Sequence, residues 1–375
     1  MMQTRYMPNT DATVSLLGFG AMRLPTDAQG NIDYPQAQAM VQLAYENGVN
    51  YYDTAYMYHG GKSEGFYGDT LTKYPRDSYY LASKFPVGWC EKEEDIDRIF
   101  NEQLARCKTE YFDFYLLHAL DKEKFQRVKD FKIYERMLQY KAEGKIRRLG
   151  FSFHDTPDVL DAITDAFQFD FVQIQFNYLD WVQQDAERSY KILESKNLPI
   201  VVMEPVRGGY LHRLPEKIAS VFKAIDPEAS NASWALRWVA DHPQVKVILS
   251  GMSSMEQVQD NLNVLGQAKP LSPEENKAVE TVREMIRSQK NVPCTACEYC
   301  MSECPNGIKI PGIFKLYNDY TQSLNVGKFR REYREIPEES RADKCISCGA
   351  CVAKCPQHIE IFTELAEIDK LLHTL

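Results

Sequence analysis

Long apolar runs are missing from this chain of 375 residues, and so is an excess of basic side chains. No stretch approaches the roughly 18 apolar residues of a membrane-spanning helix, and Met1–Asn9 offers no apolar core for a secretory signal. Forty-four Lys and Arg stand against 53 Asp and Glu, a formal net charge of −9. This balance disfavours a basic surface for nucleic-acid phosphates. The sequence therefore predicts a cytoplasmic protein that neither spans a membrane nor binds nucleic acid.

Cysteine is almost absent from the first 290 residues, where only Cys90 and Cys107 occur, whereas eight cysteines follow. A secreted disulfide framework belongs to small chains with a signal peptide, so another purpose is expected for the eight. Cys90 and Cys107 have no CxxC partner and are interpreted as ordinary buried thiols. The uneven distribution predicts two domains, residues 1–290 and residues 291–375.

Short apolar runs alternate with helix-period segments along residues 1–290. The predicted strands are Val14–Leu17, Val49–Asp53, Tyr79–Lys84, Phe112–His118, Ile146–Phe151, Phe171–Gln175, Ile200–Met203 and Val245–Leu249. Eight strand–helix alternations are typical of an α/β fold of the (β/α)8 TIM barrel type rather than of a doubly wound sheet. Gly18-Phe19-Gly20 also lacks the third glycine of the dinucleotide-binding fingerprint.

Four proton-handling side chains follow consecutive predicted strands. Asp53, Lys84 and His118 end the second, third and fourth strands, and Tyr58 lies in the loop after Asp53. Each residue alone is typical of a surface or capping position. Because function in a barrel gathers at the carboxyl ends of the strands, we expect the four to share one site.

The chemistry that suits these residues is acid catalysis by a phenol. A free tyrosine has a pKa near 10, and a neighbouring ammonium is expected to lower the pKa of Tyr58 by stabilising the phenolate. Asp53 would keep Lys84 charged and oriented. His118 would donate a hydrogen bond that polarises a substrate carbonyl.

These residues resemble the aldo-keto reductase family over roughly residues 10–290. The matching motifs are Leu17–Arg23, Tyr52–Tyr58, Ser83-Lys84, Leu116–His118, Gly150–Ser152, Val172–Gln175 and Gly251–Asn261. The resemblance implies that Asp53, Tyr58, Lys84 and His118 reduce a small carbonyl compound or oxidise an alcohol, with Tyr58 as general acid or base. A reduced nicotinamide, NADP or NAD, would supply the hydride.

The resemblance also implies a set of cofactor contacts. They are Gly20, Met22, Asp53, Ser152, Gln173, Met203, Arg207, Gly251, Ser254, Gln257 and Asn261. The sequence departs from the family pattern in three places. Phe153 occupies a position where the family usually has asparagine, and Glu204 occupies one where a small polar residue is common. The segment Gly251–Asn261 has no Arg or Lys that could bind a 2′-phosphate. The cofactor is therefore expected to be either NADP or NAD. A third hypothesis is an electron-transfer protein whose barrel does not use nicotinamide.

The eight late cysteines form two copies of one pattern, Cys294-x2-Cys297-x2-Cys300-x3-Cys304-Pro305 and Cys345-x2-Cys348-x2-Cys351-x3-Cys355-Pro356. This spacing is typical of bacterial 4Fe–4S ferredoxins, whereas zinc ribbons have paired CxxC motifs with a longer spacer. The region resembles a two-cluster ferredoxin, a smaller α+β domain in which the fourth cysteine of each run serves the other cluster. One cluster would use Cys294, Cys297, Cys300 and Cys355, and the other Cys345, Cys348, Cys351 and Cys304.

The combination leaves three functions open. Nicotinamide passes two electrons as hydride and each cluster passes one, so direct coupling would need a flavin, for which no segment identifies a site. The chain is interpreted as a carbonyl reductase coupled to its clusters and to a redox protein partner, as an electron-transfer protein without nicotinamide, or as an ordinary reductase with structural clusters. The mixed-charge segment Lys328–Lys344 is read as a solvated connector or as that partner's docking surface.

Overall fold

The computed structural model describes residues 2–8, 10–289, 291–323 and 325–375. Its contacts divide the chain into two compact units. The barrel unit comprises Met1–Pro205 and Ala232–Asn276, and the C-terminal unit comprises Val206–Asn231 and Lys277–Leu375. The predicted domain boundary falls on residue 290, which lies outside the described residues. No helix in the described part of the chain is long and apolar enough to cross a membrane.

Eight parallel strands close into a barrel, which confirms the predicted (β/α)8 fold. They are β3 (Leu17–Gly20), β4 (Tyr51–Asp53), β5 (Tyr80–Phe85), β6 (Phe112–Leu120), β7 (Ile146–Phe153), β8 (Phe171–Gln175), β9 (Ile200–Met203) and β10 (Val245–Ser250). Each strand pairs with its neighbours in chain order, and β10 pairs with β3 to close the ring. The carboxyl ends of all eight strands therefore meet at one end of the barrel.

Fifteen α-helices accompany the strands in the described residues. They are α1 (Tyr34–Glu46), α2 (Ser63–Leu71), α3 (Glu94–Arg106), α4 (Lys122–Asp130), α5 (Ile133–Ala142), α6 (Pro157–Ala166), α7 (Asp180–Gln183), α8 (Ala186–Ser195), α9 (Glu216–Lys223), α10 (Asn231–Ala240), α11 (Met255–Gly266), α12 (Pro273–Arg287), α13 (Ile310–Ser323), α14 (Val326–Arg334) and α15 (Ile361–Thr374). Helix α1 begins with ordinary capping chemistry: the Asp33 carboxylate accepts a hydrogen bond from Gln36 N at 3.1 Å, with a proline in the first turn.

A hairpin of β1 (Thr4–Met7) and β2 (Ala12–Ser15) closes the amino-terminal end of the barrel. Its Met7 and Val14 are fully buried among inward-facing residues near the strand starts, such as Phe171. The predicted strand Val14–Leu17 was wrong in its placement, because it joins the end of this hairpin to the start of β3. Glycines have little β propensity, so the pattern did not reveal β3.

The C-terminal unit has an apolar core of its own, which includes Ile313, Phe314, Phe329, Ile361 and Leu365, each at most 2% exposed. Between residues 291 and 375 the described residues form helices and turns and no strand, which corrects the α+β description of this region. The physical reason is the insert between the cysteine runs, whose apolar residues recur at helical spacing and build α13 and α14.

The close contact of α2 with the end of α3 can be tested at Gly68. A Cβ added there would overlap the backbone carbonyl oxygen of Arg106, whereas one added at Gly65 of the same helix meets nothing within 4 Å. We expect Gly68→Ala to lower the free energy of unfolding by about 1–3 kcal/mol through overpacking. Gly65→Ala should raise it by up to about 1 kcal/mol through helix propensity.

Urea unfolding of both variants measures the difference. Equal stability of the two alanine variants would contradict the close contact.

Candidate active site and cysteine sites

A buried ion pair joins two neighbouring strands at the carboxyl end of the barrel. Asp53 is the last residue of β4, and Lys84 stands one residue before the end of β5. Lys84 Nζ donates to Asp53 Oδ1 at 2.6 Å and to the carbonyl oxygen of Thr54 at 2.8 Å. Their side chains are 0% and 4% exposed, so water does not screen the pair.

Tyr58 and His118 lie beside this pair. The centroid of the Tyr58 ring is 5.0 Å from Lys84 Nζ and 6.0 Å from the centroid of the His118 imidazole. The strand pairing of β6 with β7 shifts around His118, and Ala119 adopts a left-handed φ of 54°. Ala119 N donates to Ser152 Oγ at 2.7 Å, which fixes this irregular backbone. The structure therefore brings all four sequence-predicted residues together.

The expected lowering of the Tyr58 pKa is wrong. Burial raises the pKa of Tyr58 well above its ordinary value, the charges of Asp53 and Glu204 add to this increase, and Arg23 opposes it. The Lys84 ammonium does not offset the burial, because its ion-pair partner Asp53, at 2.6 Å, acts on Tyr58 in the opposite direction. Since its pKa is raised, Tyr58 stays protonated at neutral pH and holds a proton that it can donate.

His118 is a neutral imidazole in this setting. Burial lowers the pKa of His118 well below its ordinary value, and the Lys84 charge adds to the lowering. Its Nδ1 is buried and has no hydrogen-bond partner among the described residues. A neutral ring can donate a hydrogen bond from one nitrogen only, so the tautomer decides which nitrogen can donate to a substrate.

A second buried polar group supports Lys84, and the sequence reasoning missed it. Glu64 on α2 accepts hydrogen bonds from Ser83 Oγ and Gln103 Nε2, both at 2.6 Å. Gln103 Nε2 also approaches the carbonyl oxygen of Lys84 at 3.0 Å, and Arg106 pairs with Glu64 at 3.4 Å. An acidic residue in a first helical turn is usually solvated, so no sequence pattern marked Glu64 as buried.

The residues expected to hold the nicotinamide carboxamide lie on adjacent strands. Ser152 and Gln173 are paired across β7 and β8, and Gln173 Nε2 approaches Met203 Sδ at 3.5 Å. Gln173 Oε1 is buried and has no hydrogen-bond partner among the described residues. Such an oxygen suits a donor such as a carboxamide N–H. Phe153, in place of asparagine, is buried and offers no polar group.

The segment expected at the adenosine end of the cofactor begins α11. Ser254 caps this helix by accepting from Gln257 N at 3.4 Å, and Gln257 Oε1 accepts from Ser253 N at 2.8 Å. The N-terminus of a helix favours a phosphate. Arg23 packs against Gly251 and is a cation that the sequence analysis did not name as a contact.

The other expected contacts are spread more widely. Gly20 is aligned with Asp53 in the sheet, and Met22 lies in the turn after β3. Asn261 Nδ2 donates to Ser250 Oγ at 2.9 Å. Arg207 is buried and belongs to the C-terminal unit. The described residues of the barrel unit thus fit a nicotinamide at the carboxamide end, while Arg23 and the start of α11 offer the only phosphate contacts we identify.

The eight late cysteines fall into two spatial groups in the C-terminal unit. Cys304, Cys345, Cys348 and Cys351 line one cavity. Burial raises the pKa of Cys300 to about 12, and the neighbouring thiols that contribute are Cys297, Cys294 and Cys355. In both groups the fourth cysteine comes from the other sequence run, which is the crossed arrangement expected from the spacing.

Each group offers four thiols, the ligand type of iron–sulfur clusters. In the described part of the chain, no three histidine, cysteine or carboxylate side chains converge closely enough to hold one metal ion. In a 4Fe–4S cluster the four thiolates are spread over the whole cluster, so the cysteines need only border a common space. Cys90 and Cys107 belong to the barrel unit and are buried, and burial raises the pKa of the Cys90 thiol to about 11.

The fold and the residues at its carboxyl end define an oxidoreductase of the (β/α)8 barrel class. The chain belongs to the aldo/keto reductase family, whose family model matches residues 16–284. A second model, of a 4Fe–4S dicluster domain, matches residues 293–360. Both predicted resemblances, to an aldo-keto reductase and to a two-cluster 4Fe–4S ferredoxin, are thereby confirmed.

Three relatives with similar sequences or structures each cover about three quarters of this chain. An uncharacterized oxidoreductase of Bacillus subtilis is 26% identical over 75% of this chain and 96% of its own. L-galactose dehydrogenase of Arabidopsis thaliana is 24% identical over 76% of this chain and 96% of its own. Among solved structures, the holo form of an aldo-keto reductase from Bacillus halodurans is 27% identical with a TM-score of 0.64, covering 75% of this chain and 96% of that one.

The buried ion pair can be tested by removing one or both partners. Lys84→Met leaves the Asp53 carboxylate buried without its cation, and we expect a loss of about 3–5 kcal/mol in the free energy of unfolding. The double variant Asp53→Asn/Lys84→Met should recover more than half of this loss, because no uncompensated charge remains.

The deficit of the single variant should also depend on pH. Without Lys84, the folded-state pKa of Asp53 lies above its unfolded value, so the stability of the variant falls as pH rises through that pKa. Urea unfolding at pH 5 and pH 8 measures this. A single variant as stable as wild type at both pH values would contradict the pair.

Proposed function

We propose that the barrel reduces a small aldehyde or ketone, or oxidises the corresponding alcohol, with Tyr58 as the proton donor or acceptor. The observation that supports this most directly is the convergence of Tyr58, His118 and the Lys84–Asp53 pair at one end of the barrel. Membership of an oxidoreductase family supports the same class of reaction. NADP or NAD, bound at this end, would supply or accept hydride.

Each side chain has a separate part in the proposed reaction. His118 orients the substrate carbonyl by donating a hydrogen bond, and its neutral state suits this role. Tyr58 donates its proton to the carbonyl oxygen as that atom gains negative charge. The Lys84 ammonium then lies near the phenolate that remains, and Asp53 holds the ammonium in place. In alcohol oxidation the proton moves back to Tyr58, so that direction is favoured at higher pH.

The proposed proton donor is tested by Tyr58→Phe. We expect this change to lower the rate of carbonyl reduction by about 10²–10⁴-fold, because only the transferable proton is lost. The affinity for NADH and NADPH should stay within about twofold, since the phenol is proposed to transfer a proton and not to bind the nucleotide. Rates with 4-nitrobenzaldehyde and fluorescence titration of the nucleotides measure both quantities.

Tyr56→Phe is the matched control, because Tyr56 donates to Glu102 at 2.9 Å outside the proposed site. It should keep nearly full activity. Full turnover of Tyr58→Phe would move the proton donor to another residue, with His118 next.

We also propose that each crossed set of four cysteines holds a 4Fe–4S cluster, which supplies single electrons. The cavity bordered by Cys304, Cys345, Cys348 and Cys351 supports this for one set. The grouping of Cys300 with Cys294, Cys297 and Cys355 supports it for the other. The domain assignment of 1–290 to the reductase and 291–375 to the clusters is part of the same proposal.

Iron analysis tests the clusters and their crossing. Protein purified without oxygen should contain about eight iron and eight sulfide, and loss of either cluster should leave about four of each. Cys304→Ser should remove the same cluster as Cys348→Ser, as judged by spin resonance of the reduced protein, although Cys304 belongs to the other sequence run. Cys297→Ser should remove the remaining one.

Cys107→Ser, a buried thiol outside both sets, should keep all the iron. Two equivalents of zinc without sulfide would overturn the cluster proposal.

A second function is favoured by Phe153 and Glu204. A buried phenyl group stands where a carboxamide contact is expected, and the carboxylate of Glu204 stands where a small polar residue is common, near the expected pyrophosphate. Both features suit a barrel that passes electrons without nicotinamide. Cofactor analysis of the purified protein separates the two functions. Bound or titratable nicotinamide supports the reductase, and a bound flavin would link hydride transfer to single-electron transfer. Protein that binds neither nicotinamide nor flavin would favour the electron-transfer function.

A further inference from the structure

Helix α14 is strongly basic although the whole chain is acidic. Its nine residues include four basic side chains and one acidic one, whereas the chain carries a net charge of −9. Phe329 and Tyr333 turn inward and are at most 9% exposed, and Phe329 stacks on Tyr320 of α13 with ring centroids 4.9 Å apart. The opposite side of the helix therefore faces solvent.

Three arginines occupy that solvent side, and we call Arg330, Arg331 and Arg334 the basic face. All three are exposed, and within the described residues none forms an ion pair, whereas Lys328 approaches Glu332 at 3.8 Å. Arginine is the cation best suited to bind carboxylates in pairs of hydrogen bonds. The basic face is thus a positive site whose charge the fold does not neutralise.

The basic face is tied to the loop that leads into the second cysteine run. Ala342 N donates to Tyr333 Oη at 2.9 Å, and Arg341 Nη2 donates to the carbonyl oxygen of Arg334 at 2.9 Å. Ala342 stands three residues before Cys345, a span of at most about 11 Å. Glu338 and Glu339 occupy the intervening turn and confine the positive surface to the helix.

The second cysteine group reaches the surface a few residues after this loop in the chain. Cys348 is exposed, while each of the other seven late cysteines is buried or partly buried. Ile346, between Cys345 and Cys348, is 63% exposed. An apolar contact point beside charged side chains is the usual composition of a protein-binding surface, in which charge guides approach and the apolar centre is buried on contact.

We propose that the basic face and Ile346 form the docking surface for an acidic one-electron carrier protein, which exchanges an electron with the cluster held by Cys304, Cys345, Cys348 and Cys351. This proposal rests on the proposed function, because it needs that cluster. In the exchange the reduced carrier loses one electron and the cluster gains one, or the reverse. Carboxylates on the carrier meet the three arginines, and Ile346 contacts the surface over its redox centre.

The test uses the full-length, iron-loaded protein and plant-type 2Fe–2S ferredoxin as the acidic carrier. Arg330→Glu/Arg331→Glu/Arg334→Glu reverses the basic face. Lys92→Glu/Lys122→Glu/Lys132→Glu makes the same charge change at exposed lysines of the barrel unit. At low salt we expect the basic-face variant to bind at least about tenfold more weakly and the control to change less than about twofold, with wild-type binding lost on adding salt.

Iron content and carbonyl reduction are measured on every protein. The docking surface is supported if the basic-face variant binds the carrier more weakly while its iron content and reductase activity are unchanged. If that variant loses iron, Arg→Gln substitutions at the same three positions replace it. Equal binding by the two triple variants, or no carrier binding by iron-loaded wild type, overturns the docking surface and leaves the proposed function intact. Binding to phosphatidylserine vesicles without carrier binding also overturns it. Wild type without iron overturns the cluster part of the proposed function.

Discussion

The ion pair of Lys84 with Asp53 lies where water cannot stabilise either charge. The arrangement of the carboxyl end of the barrel depends on keeping these two buried charges paired. Taking two charges out of water is costly, and their attraction offsets the cost only when geometry and further hydrogen bonds are favourable. Here the Thr54 carbonyl accepts a second hydrogen bond from the ammonium. Glu64 and Gln103 fix the strand that carries Lys84. The resulting rigidity places a charged group against the Tyr58 ring.

This arrangement changes how the phenol is understood. Lysine beside tyrosine suggests an acidic phenol, but a lysine already paired with a carboxylate contributes little net positive charge at 5 Å. In the proposed reaction the proton therefore stays on Tyr58 until a substrate oxygen develops charge next to it. Protonated Tyr58 and neutral His118 are two hydrogen-bond donors that can converge on one carbonyl oxygen, and this supports reduction as the direction that the resting site favours.

The C-terminal unit uses a different principle, in which distant parts of the chain share one centre. Cys304 joins the cysteines of the second run, and Cys355 joins those of the first. A cluster bound by such a set would link segments separated by the helices α13 and α14, and binding energy would become folding energy. The same insert carries the basic face, so the segment that spaces the cysteine runs also supplies the surface beside one of them.

The sequence by itself determined the barrel, the four residues at its carboxyl end and the two cysteine runs. Period-2 and period-3.6 patterns record burial directly, and metal-ligand spacing is local in the chain. It did not reveal β3, where a Cβ at Gly18 would overlap the side chains of Val247 and Leu249 on β10. Nor did it reveal that Glu64 is buried, that Asp53 pairs with the charge expected to act on Tyr58, or that the cysteine insert forms helices and turns without a strand in its described residues. These features depend on desolvation and packing between elements distant in sequence, which only the tertiary structure decides.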